Sequence, residues 1–229
     1  NQYYSKIYRT YDRVNRLFTL GMDRRWRKTT AKICLEANPS HVIDLCCGTG
    51  DLSMLISKLS GERVAVTGYD RNPEMLDVAR EKSQKTGLHS IKFVQGDAAS
   101  MPFTNCTFDA LTIAFGFRNL TYENENRADY LQEMNRILKS GARMYILESA
   151  VPTNPVIRFL QRLYLHVFLV PLGGIISGNW KAYRYLAVSA SNFYRPAEMA
   201  ELLAAHGFEL AGKKTFFPGA TSLMIAVKK

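Results

Sequence analysis

The chain predicts an α/β fold: a largely parallel sheet with helices on both faces. Three observations predict it. From residue 41 to residue 148, short β-branched and apolar runs alternate with segments of helical length and periodicity. The earliest of those runs end in glycine and aspartate. The last two runs, Phe208–Phe217 and Ser222–Val227, are separated by little more than Pro218-Gly219-Ala220, which predicts a hairpin and an antiparallel pair at one edge.

The elements follow in order. Residues 5–37 read as two helices divided at Gly21, the second ending near Asn38-Pro39. His41–Leu45 is the first strand, followed by a glycine turn and the helix Leu52–Leu59. Arg63–Tyr69 is a strand, and Pro73–Lys85 a helix with proline in its first turn. Strands at Ile91–Gln95 and Phe108–Phe115 precede a helix at Glu123–Leu138 and a strand at Met144–Glu148. Two helices are expected at 154–169 and 179–190, parted by Pro171 to Gly178. A final helix, Pro196–His206, leads into the hairpin. The expected organisation is a single domain, 1–229: amino-terminal helices 1–37, a sheet core 38–150, a lipophilic helical insertion 151–195, and a closing helix and hairpin 196–229.

Composition narrows the class. With 47% hydrophobic and 22% charged residues among 229, the chain is neither disordered nor fibrous. The four cysteines (34, 46, 47 and 106) include no CxxC pair, so they read as reduced cytosolic thiols, neither a secreted disulfide framework nor a zinc site. Asn1-Gln2-Tyr3-Tyr4 shows no apolar signal core. The most apolar stretch, Leu163 to Ile176, is short for a membrane span and holds His166, Pro171 and Gly173-Gly174. The expected location is therefore the cytoplasm.

Much of the net charge of +10 sits at the start, where residues 1–32 hold nine cations against Asp12 and Asp23. Such density points to nucleic acid or an anionic membrane surface, and composition alone does not choose. From Ser149 to Pro196 there is no acidic residue, while Arg158, Arg162, Lys181, Arg184 and Arg195 are present.

The chemistry begins at Val42-Ile43-Asp44-Leu45-Cys46-Cys47-Gly48-Thr49-Gly50-Asp51, a glycine turn between strand and helix. The next strand ends in Gly68-Tyr69-Asp70, an acid placed to take two ribose hydroxyls. A dinucleotide turn would place glycine three residues after Gly50, where Ser53 stands. Asp44 and Asp51 would repel a pyrophosphate but suit a ligand carrying an ammonium and a sulfonium, which is S-adenosylmethionine. Gly96-Asp97-Ala98 supplies a third strand-end acid, placed to meet an adenine amino group or to make a plain Asx turn.

This ordered set resembles the class I S-adenosylmethionine-dependent methyltransferases over residues 41–150. The resemblance implies a Rossmann-like seven-stranded sheet with an antiparallel edge strand, a helical cap, and the cofactor across the strand ends. The residues it assigns to the cofactor are Asp44, Gly48, Thr49, Gly50, Asp70, Arg71, Asp97, Ala98 and Ala114. Cys46 and Cys47 stand where that class commonly has smaller residues.

A narrower resemblance covers nearly the whole chain. Tyr11-Asp12-Arg13-Val14-Asn15 with Gly21 and Trp26, then Phe115-Gly116-Phe117-Arg118-Asn119, then Arg136-Ile137-Leu138-Lys139-Ser140-Gly141 through Leu147-Glu148, are similar to signatures of the menaquinone/ubiquinone C-methyltransferase family. Tyr183, Tyr185-Leu186, Ser189 and Phe193 match its carboxy-terminal pattern. Departures include Val14 for Met, Asp23 for His, Ala114 for Ser and Ser140 for Pro.

That family implies C-methylation of a prenylated demethylmenaquinol, with a ubiquinone-pathway benzoquinol or another small aromatic as the alternative. A ring carbon becomes nucleophilic once a neighbouring hydroxyl loses its proton. The expectation is that Arg118 stabilises the phenolate, Asn119 orients the second oxygen, and Tyr11 with Asp12 takes the proton. His166 is a second candidate base. The insertion is expected to shield the prenyl tail, and the basic start to hold an anionic membrane from its inner face. A basic RNA-binding protein is the second alternative function, but no RNA-binding motif accompanies the basic start, so no nucleic-acid partner is expected, and an oligomer is allowed.

Overall fold

A computed structural model describes residues 19, 21–216 and 219–229. The amino-terminal part of the first expected helix pair therefore lies outside the described residues, as do Tyr11 and Asp12. The second member of that pair is α1 (Met22–Leu35), which starts directly after Gly21 at φ 73°, a left-handed conformation that suits glycine.

The sheet is built from β1 (His41–Leu45), β2 (Ala65–Asp70), β3 (Lys92–Gln95), β4 (Phe108–Ala114), β5 (Leu138–Ser149), β6 (Phe208–Phe216) and β7 (Thr221–Lys228). Their spatial order is β3-β2-β1-β4-β5-β7-β6. β1 to β5 are mutually parallel, and β7 runs antiparallel between β5 and β6. The hairpin expected from the closely spaced final runs thus forms one edge. Parallel neighbours require crossovers, and those beside the first strands are α2 (Asp51–Ser60) and α3 (Pro73–Lys85). α3 starts cleanly because the Asn72 side chain accepts the Met75 N–H (3.0 Å) and Pro73 needs no donor partner.

Period-two alternation divides the strands between two cores. Ile43 and Leu45 of β1 and Met144 and Ile146 of β5 face one cluster, shared with α5 (Arg127–Ile137). Val42, Tyr145 and Leu147 face the other, shared with Trp26, Ala31 and Cys34 of α1 and with α2. The strand order reverses between β1 and β4, so their crossovers leave in opposite directions and open a crevice at their carboxyl ends.

Three elements differ from expectation. The Phe-Arg-Asn segment is a short helix, α4 (Phe117–Thr121), and β5 begins six residues earlier than its apolar run, at Leu138. The insertion does not break at Pro171. α6 (Pro155–Leu163) passes through a π-helical segment, Tyr164–Leu169, into α7 (Val170–Ser177) as one 23-residue run. The Val170 N–H donates to the Leu165 carbonyl, five residues back, and this wider turn makes room for the proline ring behind it. Gly173 and Gly174 are packing positions: a Cβ on them would lie 2.3 Å from the Tyr183 ring and 2.5 Å from the Trp180 ring of α8 (Trp180–Ser191). By length and composition this run is apolar enough to cross a membrane, contrary to the reading of its sequence as too short. After α9 (Pro196–Ala204) the chain returns to the sheet.

Candidate active site

A cleft of about 620 Å³ opens at the carboxyl ends of β1, β2, β3 and β4. Two turns shape its floor. Cys46 after β1 and Phe115 after β4 both adopt positive φ (53° and 60°), a strained conformation for such residues. Gly116, next to Phe115, packs on Cys46: a Cβ on it would lie 2.5 Å from Cys46 Cβ, so only glycine fits there.

The acids stand at successive strand tips, because strand ends in a parallel sheet share one edge. Asp44 is buried and accepts from Ser53 Oγ (2.6 Å) and Thr112 Oγ1 (2.9 Å). Burial pushes its pKa up to about 6, opposed by those two hydroxyls and by the positive charge of Arg27. Asp70 accepts the Gly48 N–H (2.8 Å) with one oxygen and the Asn72 N–H (2.9 Å) with the other. Burial raises its pKa as well, against those backbone donors. Asp97 makes the Asx turn, accepting the Ala99 N–H (3.0 Å) with Oδ1, while Oδ2 faces Arg71 at 3.7 Å. Asp97 lines the cleft as well as making this turn.

Asp51 carries less of the cleft's charge than the sequence implied, since its carboxylate is ion-paired with Lys82. The wall nevertheless holds five carboxylates (Asp44, Asp51, Asp70, Glu74, Asp97) against two guanidiniums, Arg27 and Arg71, among the described residues. Within a chain of net charge +10 this is a locally anionic site, suited to a cationic ligand and opposed to a diphosphate. Burial and the neighbouring carboxylates hold the Cys46 and Cys47 thiols well above their usual range, so they stay neutral.

Gly48, Thr49, Arg71, Ala98, Ala114 and Asn119 line the cleft with these acids. Gly50 does not: it caps α2 at φ 79°, and a Cβ there would press on Ala79 and Phe93 at 3.1 Å. Its glycine serves packing of helix on sheet.

Arg118 is also off the cleft wall as described, and this corrects its expected place beside the substrate oxygen. It is 1% exposed. Its Nη1 donates to Glu148 Oε1 and to Ser149 Oγ, both at 3.2 Å, and its backbone N–H donates to Glu148 Oε2 (3.1 Å). The Ser149 N–H closes the clamp on Glu148 Oε1 (2.8 Å). The physical reason is register: α4 begins where β4 ends, next to the end of β5, so a long cation on α4 reaches the buried acid there. The two signature stretches containing Arg118 and Glu148 thereby meet. Beside Arg118, Asn119 faces the cleft with its Oδ1 buried and without a hydrogen-bond partner among the described residues.

Arg27 is the cleft residue that sequence reading missed. From α1 it pairs with buried Asp23 (2.6 Å), which Thr19 also bonds (3.0 Å), and its guanidinium lies 5.2 Å from the Phe115 ring centre. The signal was present as an i,i+4 Asp–Arg pair beside Trp26, hidden among the other cations of the basic start. Asp23, noted as a departure, is the anchor of that pair.

Comparison with known proteins agrees with this geometry. The model of the ubiE/COQ5 methyltransferase family matches residues 1–228. A demethylmenaquinone methyltransferase of Thermotoga maritima is 39% identical over 217 residues, covering 93% of this chain and 90% of its own. The enzyme of that name from Thermus thermophilus is 40% identical over 210 residues, covering 90% of this chain and 91% of its own. In fold, an S-adenosylmethionine-dependent methyltransferase from Aquifex aeolicus superposes with a TM-score of 0.59 at 20% identity, covering 83% of this chain and 82% of that one. A seven-stranded sheet with helices on both faces, strand-end acids around one cleft and a match along almost its full length place this chain in the ubiE/COQ5 methyltransferase family.

Proposed function

We propose that this chain methylates a ring carbon of demethylmenaquinol, giving menaquinol, with S-adenosylmethionine as methyl donor. The observation that carries the reading is the anionic cleft, with carboxylates at three consecutive strand tips and, on the same wall, Asn119, whose Oδ1 has no hydrogen-bond partner among the described residues. The full-length relatives named demethylmenaquinone methyltransferase support the substrate.

The donor set fits the cofactor. Asp70 would take the ribose hydroxyls, Asp97 and Ala98 would border the adenine, and Asp44 with the Gly48–Thr49 turn would hold the amino-acid end. When bound, S-adenosylmethionine supplies an electrophilic methyl group on a cationic sulfur. Asn119 Oδ1 accepts a hydrogen bond from a ring hydroxyl and so orients the quinol; leaving that oxygen buried and unpaired costs about 1–3 kcal/mol. Arg27, held by Asp23 through one nitrogen, turns its other guanidinium N–H groups to stabilising a ring oxygen as that oxygen loses its proton. Arg118 is a positioning residue, holding α4 on β5 so that Asn119 keeps its place. Tyr11 and Asp12 are assigned the proton from the motif alone.

The whole chain, 1–229, acts as one methyltransferase domain with the segment limits read from the sequence. It works in the cytoplasm, at the inner face of an anionic membrane where a prenylated substrate resides. The test is to incubate it with methyl-labelled S-adenosylmethionine and either demethylmenaquinol or a benzoquinol analogue, and to locate the label by mass spectrometry and NMR. Label on the naphthoquinol ring carbon is expected, with Asn119→Ala lowering kcat about 10- to 100-fold at unchanged cofactor affinity. Label on oxygen, on the benzoquinol alone, or nowhere contradicts the reading.

A further inference from the structure

We infer that the outer face of the 23-residue run Pro155–Ser177 is a docking surface for an anionic lipid bilayer, with the helix lying in the membrane plane. The purpose rests on the prenylated substrate proposed above; the binding is a property of the surface itself.

The first half of the run is amphipathic, with Val156, Leu160 and Leu163 of α6 and Val167 of the π-helical segment at helical spacing along one side and Arg158 and Arg162 away from it. In a soluble domain such a stripe turns inward. Here it turns outward: α6 contributes no buried residue, Phe159 is 65% exposed and Ile175 is 70% exposed. Only 22% of the most apolar window of the run is buried. A continuous apolar face of this kind marks an interaction site.

Charge selects the occupant. Arg162, Lys181 and Arg184 are exposed around the face, and among the described residues none is in an ion pair. No acidic residue occurs between Glu148 and Glu198. Two copies of the chain placed face to face would bring these cations together without an acid to meet them. A surface of anionic headgroups offers both the counter-charge and an apolar layer beneath. Trp180, 47% exposed at the margin of the face, is the residue type that favours the headgroup level.

Topology excludes a crossing. The run leaves from the end of β5, and the chain after it rebuilds the same sheet as β6 and β7. One passage through a bilayer would put those strands on opposite sides of it. α8, with 12 residues, spans about 18 Å and is too short to return across a hydrocarbon core of about 30 Å. Its Tyr183 and Trp180 are instead seated on Gly173 and Gly174 of the run itself. A helix pinned in this way along one side can only lie flat.

The experiment uses the full chain with vesicles of phosphatidylcholine alone, or mixed with phosphatidylglycerol. Co-sedimentation is read together with tryptophan quenching by acyl-brominated lipid. The chain has two tryptophans, and Trp26 is enclosed between Phe115 and Phe216, so quenching reports on Trp180. Expected are quenching on the mixed vesicles, weaker binding to the neutral ones, and partition that falls with added salt. Phe159→Glu with Ile175→Glu should lower partition on the order of tenfold or more, with thermal unfolding unchanged. Four results overturn the inference: no binding to the mixed vesicles, binding without quenching, a double variant that binds like the parent, or a parent dimer that the double variant dissolves in the ultracentrifuge. Methyl transfer to a tail-less naphthoquinol, measured on the same preparations without vesicles, reports on the proposed function separately. Its absence counts against that function and leaves the vesicle result standing.

Discussion

The sheet and the helical insertion draw on the same kinds of side chain and put them to opposite use. In β5, Met144, Tyr145, Ile146 and Leu147 are all fully buried, shared in alternation between two cores. In the insertion only Leu165, Leu169, Tyr183, Ala187 and Ala190 gather into a small cluster of their own, while the larger apolar residues of α6 face out. The lesson is that apolar periodicity specifies a face and an element type; what that face meets is decided by the neighbours the topology supplies. A central strand has neighbours on both sides of the sheet. A helix hung on the outside of the domain has one side, and α8 already fills it.

The largest effect that sharpens this contrast lies at the end of β5. Arg118→Ala leaves Glu148 charged and buried without its partner, which costs about 3–5 kcal/mol. Urea unfolding of the variant should show a loss of that size; a loss below about 1 kcal/mol would mean that the clamp is not what holds α4 in place. At the other extreme, Phe159→Glu on the outer face should change unfolding free energy by no more than about 0.5 kcal/mol, since the ring is largely in water already. A loss of several kcal/mol there would show that the face is covered within the chain.

The same contrast explains what sequence alone made legible. Asp44, Asp70 and Asp97 were readable as one site because each ends a strand, and parallel strands bring their ends to one edge whatever their order. Gly48, in the turn after the first of them, lines the same cleft and donates its N–H to Asp70. Arg118 was misplaced for the converse reason: its partner Glu148 is thirty residues away, and only the register of β4 against β5 brings them together. Gly50, read as a ligand contact, is a packing glycine because Ala79 of α3 and Phe93 of β3 converge on it. Arg27 was lost among eight other basic residues of similar spacing. The insertion was read as helical correctly, but two signals of a break, Pro171 and Gly173-Gly174, proved to be a π-turn accommodation and a helix contact. Neither can be distinguished from a loop without knowing that α8 packs against them.

The central claim is electrostatic, that the cleft accepts a cationic sulfonium and rejects a phosphorylated nucleotide. Titration calorimetry with S-adenosylmethionine and with NAD, repeated from pH 7.5 downward, tests it most directly. Asp44, raised to about 6 by burial, must be ionised to hold a cation, so binding expels a proton once the pH falls below that value. The account predicts saturable S-adenosylmethionine binding, level above about pH 6 and weakening by up to about tenfold per pH unit below it, with no heat from NAD. NAD bound in the cleft while the sulfonium compound is ignored would contradict it, as would an affinity for S-adenosylmethionine that does not change as the carboxylates are protonated.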